Sequence, residues 1–274
     1  MLWRILQAHG GKLPEDVVVC FANTGKEMPE TLDFVQECSE RWAVPITWLE
    51  FYADKPFEPK DSVLANAWRV VDHRSASRNG EPFSMLLDNA LVSSIPNPVA
   101  RQCTVQLKIR TIERYIKKTI GWDEWISVIG IRADEPYRAA KLRANPSGGR
   151  SGQYRIAPLV DCGVTAAEVG EFWLRQPFDL RLPNMGGKTM HGNCDLCFLK
   201  GADQVQSLIR EQPERAKWWI RAEERSEEIR GNVGFVSRFR KDRPSYAAMH
   251  KMALAQGEIF AFDDEALQDC ACTD

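Results

Sequence analysis

Val17-Val-Val-Cys-Phe-Ala-Asn-Thr-Gly-Lys-Glu-Met-Pro-Glu-Thr31 is the stretch on which the fold turns. Val17 to Ala22 is a short run rich in β-branched residues with turn formers on both sides, the pattern of a buried strand. Asn23-Thr24-Gly25 is a turn, and the segment from Pro29 to Trp42 then places Leu32, Val35 and Cys38 at helical spacing. Ile46 to Phe51 follows as a second strand, so the unit reads β-α-β and predicts a parallel sheet. Cys20 inside the strand and Cys38 on the apolar stripe of the helix read as small core hydrophobes.

Upstream, Leu2, Ile5 and Leu6 form a helical stripe that ends at Gly10-Gly11. Downstream, Pro56, Pro59, Pro82, Pro96 and Pro98 break any long element between 53 and 100, so this stretch is an excursion over the sheet edge, either lining a site or forming a surface insertion. Thr104 to Ile120 is a basic helix carrying Lys108, Arg110, Arg114, Lys117 and Lys118, and Trp125 to Ile131 is a further buried strand. Thr165-Ala-Ala-Glu168 matches a capping box ahead of Val169, Phe172 and Trp173, with Pro177 closing that helix. Helices are expected over 202–210 and 213–229. The expected class is α/β: residues 1–200 form a domain with a twisted parallel sheet and helices on both faces, with the 53–100 insertion. Residues 201–274 form a mainly helical module with a cysteine-containing tail.

Apolar residues make up 44% of the 274, charged residues 27%, and the net charge is −2, which excludes the strong basicity of a nucleic-acid coat protein. No apolar run could span a bilayer, and the start Met1-Leu-Trp-Arg-Ile-Leu6 lacks secretory-signal character, so a cytoplasmic protein without membrane partners is expected. In that reducing setting, eight cysteines read as free thiols, catalytic thiols or metal ligands before they read as disulfides.

Cys194-Asp-Leu-Cys197 is a C-x-x-C in a glycine-bearing loop, where two thiolates can converge on one ion. Further ligands would come from Cys103, Cys162, Cys270, Cys272 or His191. Cys103 stands at the head of a helix after Arg101, a setting that favours its thiolate. Cys270 and Cys272 lie in a polar tail as late ligands or resolving thiols.

Asn23 to Thr31 after one strand, Arg101-Gln-Cys-Thr-Val-Gln-Leu-Lys108, and Val128-Ile-Gly-Ile-Arg-Ala-Asp-Glu135 after another together resemble the phosphoadenylyl-sulfate (PAPS) and adenylyl-sulfate reductase family, over about residues 1–200, closest to its phage and prophage branch. The resemblance implies an adenine nucleotide (ATP, PAPS or adenylyl sulfate) lying across the carboxyl ends of the strands. Asn23, Thr24 and Gly25 would offer backbone amides to it, although the family often has aspartate at the position of Asn23. Gly130, Arg132, Glu135 and Arg138 would form the second nucleotide-binding segment, with Arg132 gripping a phosphate or sulfate. Without the flanking motif, the same charges would read as a surface ion-pair cluster. Lys108 would add a catalytic cation.

Iron-sulfur members of the family open this helix with Cys-Cys and carry a C-x-x-C about eighty to ninety residues later. Cys103, Cys194 and Cys197 fit, while Gln102 replaces the first cysteine. The resemblance therefore implies an iron-sulfur cluster, of 4Fe-4S type, on Cys103, Cys194 and Cys197, with Cys272, Cys270 or His191 as fourth ligand or one iron left open, or zinc in a closed site as the alternative. The family's S-G-G-x-x-S phosphate loop is not found in this sequence, and Met1 to Ile5 looks like the helix that should follow it, so a start upstream is expected.

Two reactions follow from the resemblance. In one, Cys270 or Cys272 attacks activated sulfate and a thioredoxin-like reductant resets the enzyme; Asp269-Cys-Ala-Cys-Thr273 departs from the family's Glu-Cys-Gly-Leu-His tail. In the other, ATP adenylates an acceptor such as a nucleic-acid base, which the basic helix could guide. A zinc-stabilised binding protein without catalysis is the rival from another class.

Overall fold

The computed structural model describes residues 1–53, 67–88, 95–149, 152–185, 188–230 and 238–255. Helix α1 (Leu2–Ala8) leads to strand β1 (Val19–Asn23), helix α2 (Pro29–Arg41) and strand β2 (Ile46–Glu50). Proline opens α2, where its missing N–H costs nothing. β1 and β2 pair in parallel from Val19↔Ile46 to Asn23↔Glu50, so the β-α-β unit is as the sequence predicts. The last pair of that ladder sets Asn23 directly beside Glu50.

The remaining sheet differs from one continuous parallel sheet. β3 (Arg69–Val71) joins the free edge of β2 antiparallel, and β4 (Trp125–Val128) pairs in parallel with β5 (Gln153–Ile156) in a separate two-stranded ladder. β4 is not sealed on both faces either. Trp125 points inward, while Ile126 and Val128 are exposed. A short, mostly apolar run such as Trp125-Ile-Ser-Val128 has the same sequence signature whether one face or two are covered, so periodicity alone could not tell these apart. For the same reason Val17, expected in a buried strand, is exposed.

One helix, α4, spans 104–120 and lies across both ladders. It has π geometry over Thr104–Arg110 and Ile116–Ile120 and α geometry over Thr111–Tyr115. The Thr111 hydroxyl donates to the carbonyl of Gln106, 2.8 Å away and five residues back, which matches the π span. Tyr115 and Ile116 pack with Leu49 of β2 and Trp125 of β4, so α4 is the element that holds the two ladders together. α5 (Pro136–Ala144) and α6 (Pro158–Asp161) share a small core with Ile129 and Ile131 just past β4, and α7 (Ala166–Leu174) begins with the expected Thr165–Glu168 capping box. Trp42 stacks on Trp173 and meets Trp3, tying α1, α2 and α7 through aromatic contacts.

A short hairpin of β6 (Asn184–Met185) and β7 (Lys188–Thr189) precedes the C-x-x-C loop. Then come α8 (Ala202–Glu211), a 3₁₀ turn at Pro213–Arg215 running into α9 (Ala216–Arg230), and α10 (Tyr246–Ala255). The largest core combines Phe51, Phe83 and Leu107 with Leu196, Phe198, Trp219, Phe239 and Tyr246, so residues on both sides of position 200 share it. Among the described residues no helix is long and apolar enough to cross a membrane.

Candidate functional site

The turn after β1 is built from its own side chains. Glu27 Oε2 accepts from the Thr24 amide (2.9 Å), the Thr24 hydroxyl (2.8 Å) and the Lys26 amide (3.2 Å). The Gly25 amide donates to Asn23 Oδ1 at 3.1 Å. The Thr24 and Gly25 amides, two of those expected to face a nucleotide, are therefore satisfied within the protein, and Asn23, Thr24, Lys26 and Glu27 are all buried. Gly25 has φ +76°, and a Cβ there would sit 3.0 Å from Pro82 Cδ and 3.1 Å from the Gly80 backbone, so both conformation and space demand glycine.

Asn23 is fully buried and held from the next strand. Its amide group donates to Glu50 Oε1 at 2.6 Å and to the Ser77 carbonyl at 2.8 Å. Glu50 also accepts from the Ser77 amide (2.6 Å) and from Arg69 Nη2 (2.7 Å). Arg69 in turn lies over the Tyr52 ring. The carboxylate that the family often carries at position 23 is thus present one strand away, on Glu50.

The C-x-x-C loop docks on this turn. Cys194 forms an isolated antiparallel bridge with Glu27, the Asp195 amide donates to the Lys26 carbonyl at 2.7 Å, and Cys194 Sγ lies 3.3 Å from Thr24 Oγ1. Between the cysteines, the buried carboxylate of Asp195 meets Lys26 Nζ at 3.0 Å, Trp219 Nε1 at 2.8 Å and Arg215 Nη1 at 3.4 Å. Lys200 Nζ donates to the carbonyls of Cys194 and Asp195. Lys108 reaches the same place from α4, with its Nζ 3.8 Å from Glu27 Oε1. Cys103, half-buried before α4, packs on the core that contains Cys194 and Cys197. The structure thus brings Thr24, Gly25, Lys108 and Cys194 together at the carboxyl end of β1, with Cys197 and Cys103 in or against the large core that Cys194 shares.

The donor set for a metal is incomplete here. Among the described residues, no group of three or more cysteine, histidine, aspartate or glutamate side chains is arranged to hold an ion. His191 Nε2 faces Glu211 Oε2 at 3.3 Å instead, and burial lowers its pKa. Cys162 is exposed. Cys270 and Cys272 lie outside the described residues. Among the described residues Cys103, Cys194 and Cys197 are the thiols of the expected iron-sulfur or zinc ligand set, and its fourth member, Cys272, lies outside them.

The second expected segment lies at the end of β4. Ile131 and Ala139 beside it belong to a small separate core. Arg132 pairs with Asp134 (3.0 Å) and Glu135 (3.7 Å), and Arg138 pairs with Glu135, whose carboxylate is buried. Burial opposes ionisation of Asp134, but the Ala166 amide and Arg132 outweigh it and keep the carboxyl below the ordinary aspartate value. Gly130 has no neighbour within 4 Å of a Cβ position, so no contact inside the protein requires a glycine there. Cations on α4 are likewise engaged. Arg110 and Lys117 pair with Glu113, and Arg114 donates to Gln106.

Glu27, Glu50, Lys26 and Asp195 escaped the sequence reading. One signal was available for Glu50, a carboxylate closing the apolar run Ile46–Leu49, because a charge at that position needs a partner if the strand is buried.

A family model for the phosphoadenosine phosphosulfate reductase domain matches residues 11–179. Among curated proteins, the chain is 28% identical over 206 residues to the "Uncharacterized nin region protein ORF290" of Escherichia phage lambda. That match covers 75% of this chain and 63% of the relative, so the chain spans less than two thirds of the relative's length. No solved structure matches it significantly.

Proposed function

This chain belongs to the phosphoadenosine phosphosulfate reductase domain family, and we propose that it binds an adenine nucleotide at the carboxyl end of β1 and performs thiol-dependent sulfur or adenylyl transfer there. The observation that carries this reading is the 3.3 Å approach of Cys194 Sγ to Thr24 Oγ1. It sets the Cys194 thiol of the C-x-x-C pair at the carboxyl end of a strand, the position where open α/β folds bind their ligands.

In the sulfur reaction, a thiolate attacks the sulfur of PAPS or adenylyl sulfate and the nucleotide phosphate leaves. A second thiol then releases sulfite and closes a disulfide, which a thioredoxin-like dithiol reopens. Cys270 or Cys272 supplies the nucleophile in this proposal, and Lys108 balances the charge that develops on the leaving phosphate. Arg132 and Arg138 grip the nucleotide only after exchanging their carboxylate partners for it. Any iron-sulfur centre would draw on Cys103, Cys194, Cys197 and Cys272.

The test is equilibrium binding of ATP, adenylyl sulfate and PAPS to the full chain, with GTP as control, followed by a sulfite assay with thioredoxin. Adenine-selective binding and sulfite release that Cys270→Ala or Cys272→Ala abolishes are expected. Absence of adenine-nucleotide binding sinks the proposal. Iron, zinc and labile-sulfide content after anaerobic purification separates the cluster from zinc, and zinc without nucleotide binding points to the non-catalytic rival.

A further inference from the structure

We infer that the turn Thr24–Glu27 is an oxyanion nest plugged by Glu27, and that a sulfate or phosphate group of the nucleotide displaces the Glu27 carboxylate. The inference rests on the proposed nucleotide binding and names the subsite that would take the anion.

Consecutive backbone amides bracketing a left-handed residue form a concavity suited to an anionic oxygen. Here the residue is Gly25 at φ +76°, and the donors are the Thr24 and Lys26 amides with the Thr24 hydroxyl. All three converge on Glu27 Oε2. The other oxygen, Oε1, is buried and accepts no hydrogen bond among the described residues, and Lys108 Nζ faces it as a loose ion pair at 3.8 Å. An acceptor buried without a donor is a cost that a better-matched anion would remove. A carboxylate offers two oxygens in one plane and satisfies one of them here. A tetrahedral oxyanion offers three or four, enough to reach the nest and Lys108 together.

Position supports the same assignment. The nest closes the carboxyl end of β1, and its Thr24 hydroxyl also touches Cys194 Sγ, so an anion held there lies against the thiol loop. Lys108 is the more open partner of the Glu27 pair, with 21% of its side chain exposed against 3%, which marks the side from which an anion would enter. Binding then requires Glu27 to swing out, so the unliganded turn is self-inhibited.

The experiment uses the full chain with inorganic sulfate and inorganic phosphate as probes, read by calorimetry and by the amide resonances of Thr24 and Lys26. Glu27→Gln keeps the shape and removes the competing charge, and it should bind both anions about tenfold more tightly than the natural chain. Lys108→Ala should weaken binding in either background. Equal or weaker binding by folded Glu27→Gln overturns the inference. Should that variant fail to fold, the natural chain decides: amides of Thr24 and Lys26 that shift under sulfate support the nest, and unmoved amides overturn it. ATP titrated into the same samples keeps the two ideas apart. Nucleotide binding that is indifferent to Glu27 removes the nest alone, whereas a nest that binds sulfate in a chain that binds no nucleotide removes the proposed function alone.

Discussion

Lys26 Nζ lies 3.0 Å from Asp195 Oδ2, with 5% and 0% of the two side chains exposed. This buried ion pair clamps the turn after β1 to the middle of the C-x-x-C loop, across 169 positions of sequence. Trp219, the Leu196 amide and Arg215 also contact this carboxylate. Removing one member of such a pair leaves an uncompensated buried charge. Asp195→Ala should therefore cost about 3–5 kcal/mol in urea unfolding. It should also speed alkylation of Cys194 and Cys197 by releasing their loop, and an unchanged alkylation rate would refute the clamp.

Asn23→Asp would set a second carboxylate against Glu50, at the 2.6 Å contact where an amide now donates. Two carboxylates at that distance cannot both ionise freely, so one pKa is driven up. A raised folded-state pKa keeps its stability at low pH and loses it as pH rises, so the variant should lose about 1–3 kcal/mol at neutral pH and recover on acidification. Adding Glu50→Gln to Asn23→Asp should restore much of the loss, because the donor and acceptor are then exchanged. Additive effects of the two changes would show that the contact does not matter.

Burial pushes the thiols of Cys20 and Cys38 up to about 12 from an ordinary 9.0. Their neutral forms favour the folded state, so this stability is complete below pH 9 and drains away as pH climbs toward 12. Each thiol should add a slope of up to about 1.4 kcal/mol per pH unit in that window. Urea unfolding at pH 8 and pH 10 under reducing conditions measures it. Cys20→Ala and Cys38→Ala should each flatten the pH dependence while lowering stability overall.

Gly80 has φ +90°, and a Cβ there would lie 2.5 Å from Trp218 Nε1 and 2.8 Å from Lys26 Cδ. The indole is not free to move away, since it donates to Ser84 Oγ at 2.9 Å. Gly80→Ala should cost about 2–4 kcal/mol through strain and overpacking together. Gly10→Ala, at φ +65° with nothing within 4 Å, is the control and should lose about 1–2 kcal/mol by thermal unfolding.

What could be read without coordinates was local. The apolar run Val17–Ala22 followed by Asn23-Thr24-Gly25 and a proline-opened helix led to the β-α-β unit, and Thr165–Glu168 led to a capped helix, both as found. These are contacts between residues close in the chain, so spacing encodes them directly. Harder to read was the exposure of Ile126 and Val128, because strand composition does not record how many faces a neighbour covers.

The site divides along the same line. The amino-acid sequence by itself determined the membership of the chain in its family, the C-x-x-C pair, and the presence of Lys108 behind Cys103 on one basic helix. Only the tertiary structure decided that Cys194 meets Thr24, that Asn23 leans on Glu50, and that Asp195 rather than a free anion holds Lys26. It also showed Arg132, Glu135 and Arg138 joined in one ion-pair group beside the small core of Ile131 and Ala139. The physical reason is range: helix and strand patterns arise from neighbours a few residues apart, whereas a buried charge is satisfied by whichever partner the packed chain brings within about 3 Å.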